Sequence, residues 1–409
     1  MRRGKLAKNT LIFTSALSLR FILQATLFVA VARTLGPEGY GKFVAVLSVM
    51  TFFQPLVGLG GIALLLRDTA RNPELFPIYF ARALFFISIT APFLLASALL
   101  VAMLILPKSM PGSLMISLAL SELVCVPLMS FAARAYQAFE RMVRMGEAYT
   151  FLIIVRLIGF AIMFLAHPSV NSETWGLYYL GASIVGSAVA VGMASNELGL
   201  PRWNSEKGLK ALRDGFYFAL GGGASRIHDE IDKTLLARLD HPRTAGIYSA
   251  GYRAIDIMIL PLSALLESSQ ARFFRAGEHG PGAAGTYGLK LLPLPLTYAV
   301  LGGLLLYLFS PLIANILGSD YAESVNVARC LAAIPAMVLL RVLVATVAGA
   351  SGLHRVSGLF HSLGAFSNIA MNIWLIPRYG WGGAVVATYC SEILMTLAIF
   401  FAIVRANRK

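Results

Sequence analysis

The chain has 409 residues, of which 57% are hydrophobic and only 13% charged, about half the charged share usual in soluble domains. That composition excludes an ordinary soluble enzyme, and apolar stretches of the length needed to cross a bilayer recur almost end to end. The net charge of +14 would fit a nucleic-acid partner, but the placement of the cations excludes one.

In chain order, spans are expected at residues 10–32, 43–66, 80–106, 113–133, 148–166, 176–196, 215–236, 246–268, 291–316, 327–349, 355–376 and 382–404. The fold class is therefore all-α: a polytopic membrane protein of about twelve transmembrane helices in two six-helix lobes. The first run contains Arg20 and is followed by further spans, so it reads as a retained helix and not as a cleaved signal. Pro55 with Gly58, Gly60 and Gly61 marks either close helix packing or local unwinding in the second span, and packing is the expectation. Residues 1–196 form the expected N-terminal lobe and 215–409 the C-terminal lobe, with a polar, partly amphipathic cytoplasmic linker at 197–214. In helix seven the triplet Gly221, Gly222 and Gly223 offers the same choice between packing and a hinge. Cys125, Cys330 and Cys390 lie in apolar runs without metal-ligand spacing and read as core residues.

With the N-terminus inside, cytoplasmic segments carry 21 Lys and Arg and outer segments 6. This asymmetry sets the orientation by the positive-inside rule, placing both termini in the cytoplasm of a cell-membrane protein and Pro37 and Pro242 outside.

A decapeptide pattern, A-R-x3-P-x3-G, occurs just after the first helix of each half: Ala32, Arg33, Pro37 and Gly41, then Ala237, Arg238, Pro242 and Gly246. An even number of helices per half gives both halves the same orientation, the parallel arrangement of repeat transporters, with the ligand site between them.

An ionisable group at the bilayer centre costs about 2.5–3.5 kcal/mol on insertion scales, which makes each one a site candidate. The substrate-binding candidates are Arg20, Gln24, Arg156, Arg226, Arg253 and Arg341, and the ion-coupling candidates are Asp229, Glu230, Asp232 and Asp256. On helix seven Arg226, Asp229, Glu230 and Lys233 share an arc of about 100°, with i,i+4 pairing of Arg226 with Glu230 and Asp229 with Lys233 as the structural alternative. Arg20 and Arg156 have no acid within one turn of their own helix; an acid on another helix or an anionic ligand gripped in bidentate fashion would satisfy them. Phosphate-loop, zincin and nucleophile-elbow motifs are absent from the sequence, so no catalysis, cofactor or metal is expected.

Four stretches carry a family resemblance: Ala32-Arg33-Thr34-Leu35-Gly36-Pro37-Glu38-Gly39-Tyr40-Gly41, Tyr136-Gln137-Ala138-Phe139-Glu140-Arg141, Ile231-Asp232-Lys233, and Ala245-Gly246-Ile247-Tyr248-Ser249-Ala250-Gly251-Tyr252-Arg253. With them the chain resembles the polysaccharide-export branch of the multidrug/oligosaccharidyl-lipid/polysaccharide exporter superfamily, which includes O-antigen-type flippases. The resemblance implies alternating access that moves a polyprenyl-(pyro)phosphate-linked oligosaccharide from the inner to the outer leaflet for cell-surface polysaccharide biosynthesis. A monomer working beside polysaccharide assembly machinery is expected, and because the sequence has no nucleotide-binding motif, H+ or Na+ coupling through an acid such as Asp229, Glu230 or Asp256 is the expected energy source. The alternatives are a cation-coupled drug or metabolite antiporter of the same fold, which calls for an acid-dominated cavity, and a membrane glycan polymerase, which calls for a large outer loop.

Overall fold

A computed structural model of the chain describes residues 2–203 and 210–407; these are helical nearly throughout, and none of them forms a strand. Large apolar side chains point outward, among them Phe93 at 73%, Leu165 at 84% and Phe366 at 71% exposure. A surface of that kind requires lipid as its solvent. The chain divides into two compact units, Met1–Gly223 and Ala224–Lys409. The expected linker lies partly outside the described residues, at 204–209.

The N-terminal unit opens with α1 (Arg2–Phe53), whose helix is interrupted at Gly36 (φ 65°, ψ 174°) directly before Pro37. Unbroken, 52 residues would reach about 78 Å, more than twice the thickness of a hydrocarbon core, so the Gly-Pro break makes two spans of it. The second span leaves α geometry at Gln54–Leu56 and passes through Gly58, Leu59 and Gly60, all at positive φ. It resumes as α2 (Gly61–Arg71). The glycine cluster there unwinds the helix, contrary to the packing expectation. Four more spans follow: α3 (Phe76–Ile105); α4 (Gly112–Leu120) continued by α5 (Val126–Ala138); α6 (Met142–Ala166); and α7 (Ser172–Leu198). A π-helical turn, Ser121–Cys125, joins α4 to α5. Asn171 caps α7 by accepting from the Thr174 amide at 2.8 Å, satisfying one of the orphan donors of the first turn. At the core Tyr179 meets Phe43 and Trp175 edge-on, and Phe43 and Trp175 are tilted by 52°, with ring centroids 5.5–6.2 Å apart.

The C-terminal unit contains α8 (Lys210–Leu239) from Ala224 onward, α9 (Pro242–Gly277), α10 (Pro281–Leu291), α11 (Pro293–Phe309), α12 (Pro311–Leu317), α13 (Ala322–Cys330), α14 (Ile334–Ala350), α15 (His354–Tyr379) and α16 (Trp381–Asn407). The glycine triplet 221–223 is helical, so α8 has no break there. The expected ninth span, 291–316, is instead α10 plus α11 bent by 48°, and it ends before Pro311. Pro293 and Pro311 each remove an amide donor and clash with the preceding turn. The tenth span is likewise bent, by 46°, between Cys330 and Ile334. Among the described residues six helices, or eight with the bent pairs, are long and apolar enough to cross a membrane unaided; α1, α8 and α9 complete the twelve. Cys125 is buried, but Cys330 and Cys390 are exposed, so the core reading fails for two of the three. Cysteine behaves as a small hydrophobe, which suits an outward face in lipid equally well.

Polar contacts hold α15 to α16, where Asn368 donates to the Ser391 hydroxyl at 3.1 Å. Close approach does the same at Gly383, where a Cβ would sit 2.6 Å from the Leu375 carbonyl. Gly383→Ala is therefore expected to push these helices apart and cost about 1–3 kcal/mol, read as a lowered unfolding temperature in detergent, whereas Gly382→Ala, with open space at its Cβ, should be near neutral.

Candidate functional site

The repeated motif sits at the same structural place in both halves. Pro37 follows the break that separates the first two spans, and Pro242 opens α9 one residue after the extended cap His241. In each half the motif is thus the hairpin between the first and second spans, and Arg20 and Arg226 precede it on the first span.

Arg20 lies on α1 with its guanidinium 4.8 Å from the centroid of the Tyr149 ring of α6, a cation–π contact. No carboxylate lies within ion-pair distance of it among the described residues. Gln24, one turn on, is exposed. Arg156 of α6 is matched: it lies 3.6 Å from Glu122, donates to Ser183 at 3.0 Å, and sits over the Tyr179 ring at 3.9 Å. The acid on another helix, 34 residues away in sequence, is thus the partner that Arg156 has.

On α8, Arg226 and Asp229 are exposed, and among the described residues neither has an ion pair. The i,i+4 pairing of Asp229 with Lys233 does not form. Lys233 is buried and extends to Glu230 at 2.6 Å, with its ammonium also 5.0 Å from the Tyr252 ring centroid. Glu230 is three residues from Lys233, close enough to outcompete Asp229. Asp232 is buried at 4% exposure and accepts from the Lys233 amide at 2.8 Å. Arg253 and Asp256 pair on α9 at 3.2 Å, both still 41% exposed, a geometry whose worth is small.

Arg341 of α14 donates to Glu392 of α16 at 2.7 Å, and the other oxygen of Glu392 is 3.3 Å from Nε2 of His228 on α8. All three side chains are largely buried, at 13%, 4% and 7% exposure. His228 stands in the charged run of helix seven but its spacing with Asp229 and Glu230 points to no metal site, and no spacing along one helix marks the rings of Tyr149, Tyr179 and Tyr252 as neighbours of these charges. Arg329, at the edge of the tenth span, is held by the Ser310 hydroxyl at 3.0 Å and the Tyr307 ring.

The five arginine candidates therefore fall into two groups. Arg156, Arg253 and Arg341 are neutralised by carboxylates of their own unit. Arg20 and Arg226 form no ion pair among the described residues, although Glu230 lies within electrostatic reach of Arg226, and they stand 12 and 11 residues before the first alanine of the two motif copies.

The profile described as "Polysaccharide biosynthesis protein" matches residues 6–266, more than half of the chain. The chain belongs to this family. No curated protein matches it in sequence. In fold it is similar to an inward-facing multidrug resistance MATE family transporter of the MOP superfamily (TM-score 0.75, 14% identity, 96% of this chain and 98% of the other). It is equally similar to the lipid II flippase MurJ in an inward closed conformation (TM-score 0.75, 14% identity, 96% and 87% coverage). A MOP superfamily transporter from Pyrococcus furiosus Vc1, described by the reverse polarity of its binding pocket, aligns with a TM-score of 0.68 at 14% identity over 96% and 95% of the two chains. A polysaccharide-biosynthesis family member with this fold is a multi-pass membrane protein of two six-helix lobes.

Proposed function

We propose that the protein is a flippase that moves a polyprenyl-(pyro)phosphate-linked oligosaccharide across the cytoplasmic membrane by alternating access of its two lobes, 1–196 and 215–409, about the linker 197–214. The observation that carries this reading is the pair Arg20 and Arg226. Arg20 of the N-terminal unit and Arg226 of the C-terminal unit stand at matching places in a duplicated sequence inside membrane spans, and among the described residues neither forms an ion pair. A pyrophosphate supplies the missing negative charge and accepts planar, bidentate hydrogen bonds that a lysine cannot reproduce. The apolar tail of such a substrate stays in lipid while its sugar head needs a wet path, and Gln24 supplies a polar neighbour for that path. A drug-cation exporter has no use for uncompensated arginines, so the charge sign favours the lipid-linked glycan over the antiporter alternative. A glycan polymerase is disfavoured by the short outer segments.

The energy source in this reading is an ion gradient acting on an acid. Asp229 is the candidate best placed, because it is exposed and, among the described residues, forms no ion pair, while Glu230, Asp232 and Asp256 are each engaged by Lys233 or Arg253. Native mass spectrometry with a polyprenyl-pyrophosphate oligosaccharide tests the binding half of the proposal. The wild-type chain is expected to retain one equivalent, and Arg20→Ala combined with Arg226→Ala to retain none; equal retention by both would remove the pyrophosphate site.

The orientation proposed, with both termini cytoplasmic, predicts that a single cysteine at Ser205 in a cysteine-free background is labelled by a membrane-impermeant maleimide only after the cells are opened. Labelling of intact cells at that position would invert the topology.

A further inference from the structure

Cations inside the spans rest on tyrosine rings. In the N-terminal unit Arg156 sits 3.9 Å from the ring centroid of Tyr179 and Arg20 4.8 Å from that of Tyr149; in the C-terminal unit Lys233 lies 5.0 Å from that of Tyr252. Two of these contacts accompany a carboxylate, since Arg156 has Glu122 and Lys233 has Glu230. Beside Arg20, among the described residues, the ring stands without an ion pair or a side-chain hydrogen bond. The two helices involved pack against each other, and their composition explains the difference. α1 has one acid, Glu38, which Lys42 holds at 2.8 Å. α6 also has one, Glu147, which Arg144 holds at 2.9 Å. Tyr149 thus occupies the place at which a carboxylate would have neutralised Arg20.

A carboxylate and a ring face hold a guanidinium in different ways. The carboxylate cancels the charge and takes up to two of the five N–H donors. The ring attracts the cation through its quadrupole and brings no net charge. Arg20 is thereby fixed with its positive charge whole and its donors unspent. The side chain is half-buried, and none of its nitrogens is among the buried polar atoms left without a partner, so the donors remain reachable from outside the helix pair. Free of the ring, so long a side chain would lose its rotamer freedom only on binding; held against it, Arg20 meets part of that cost at folding.

We propose that Tyr149 is the positioning residue of Arg20: its ring face holds the guanidinium ready for an anion and leaves the charge and the N–H donors for that anion to use. The role belongs to the ring. The Tyr149 hydroxyl, which makes no side-chain hydrogen bond among the described residues, has no part in it. That the anion is a pyrophosphate rests on the function proposed above; the placement of Arg20 by the ring does not.

Two measurements on the full chain in lipid nanodiscs test this, one of placement and one of binding. In side-chain Nε–Hε spectra of arginine-labelled protein, the Arg20 signal is assigned by its loss in Arg20→Lys. The ring current of Tyr149 is expected to shift that signal in the wild type and in Tyr149→Phe, and the shift should vanish in Tyr149→Leu; a signal that Tyr149→Leu does not move would overturn the proposal. Binding is measured with polyprenyl pyrophosphate as the probe. Tyr149→Leu is expected to weaken it about threefold to tenfold, Tyr149→Phe to restore the wild-type value, and Tyr149→Leu to change nothing further in an Arg20→Ala background. Wild-type affinity in Tyr149→Leu, an equal loss in Tyr149→Phe, or an undiminished loss in the Arg20→Ala background would each overturn the proposal. If Tyr149→Leu does not fold, Tyr149→Met, equally without a ring, takes its place. A wild-type chain that binds no polyprenyl pyrophosphate removes the pyrophosphate reading instead, and the spectra then decide the placement of Arg20 by themselves.

Discussion

Arg20→Ala and Arg226→Ala are each expected to reduce flipping of a polyprenyl-pyrophosphate oligosaccharide about tenfold to a hundredfold, and the double variant to abolish it. A charge-assisted hydrogen bond is worth about 1.5–3 kcal/mol, which converts to that range of rates at about 1.4 kcal/mol per factor of ten. The more discriminating variants are Arg20→Lys and Arg226→Lys. They keep the charge and lose the planar fork, so a site that grips pyrophosphate through two parallel N–H bonds leaves them impaired as well, though less than the alanines. Measured on protein that is equally abundant and equally stable, full activity in both lysine variants would show that charge alone matters. Arg156 provides the internal comparison. It is already matched by Glu122, so Arg156→Ala is expected to act chiefly on stability by stranding a buried carboxylate.

Stranding such a charge gives the second large effect. Arg341→Leu leaves Glu392 at 4% exposure with only His228 beside it, and breaking a buried pair from one side typically costs about 3–5 kcal/mol. Replacing both, Arg341→Leu with Glu392→Leu, removes the desolvation problem together with the attraction, and most of the loss should be recovered. Thermal unfolding of the two single variants and the double variant in the same detergent reads this out as a double-mutant cycle. Additive losses would mean that the contact between Arg341 and Glu392 contributes nothing. Transport by the double variant then separates a structural role from a functional one.

These two predictions differ in how far the sequence alone leads to them. Hydropathy makes α3, α6, α7 and α16 plain, because each is an apolar run longer than a bilayer is thick, and the cation asymmetry carries the span count through the charged helix α8. The repeated A-R-x3-P-x3-G motif locates Arg20 and Arg226 as equivalents, since a proline after a helix end has a physical reason to recur at a hairpin. Pairings across helices are another matter. Glu122 meets Arg156 34 residues on, and Glu392 meets His228 at a separation of 164, and no periodicity along one helix encodes either distance. The Asp229–Lys233 expectation fails for a local reason, because Glu230 one residue later reaches the same ammonium. Pro55, Gly58 and Gly60 were visible as residues, but whether such a cluster packs or unwinds depends on the neighbour that receives it. Here Thr90, accepting from the Gly58 amide, and Glu122, accepting from Gln54, stabilise the unwound form from two other spans.

The measurement closest to the central claim is a leaflet-resolved assay in proteoliposomes. A fluorescent polyprenyl-pyrophosphate oligosaccharide is incorporated, and its arrival in the outer leaflet is followed with an impermeant quencher, with and without an imposed proton or sodium gradient; a cationic dye is followed in parallel vesicles. The account predicts protein-dependent movement of the lipid-linked glycan, faster with one of the gradients, abolished by Arg20→Ala with Arg226→Ala and made gradient-insensitive by Asp229→Asn, with the dye left where it was. Transport of the dye with no movement of the glycan would contradict it.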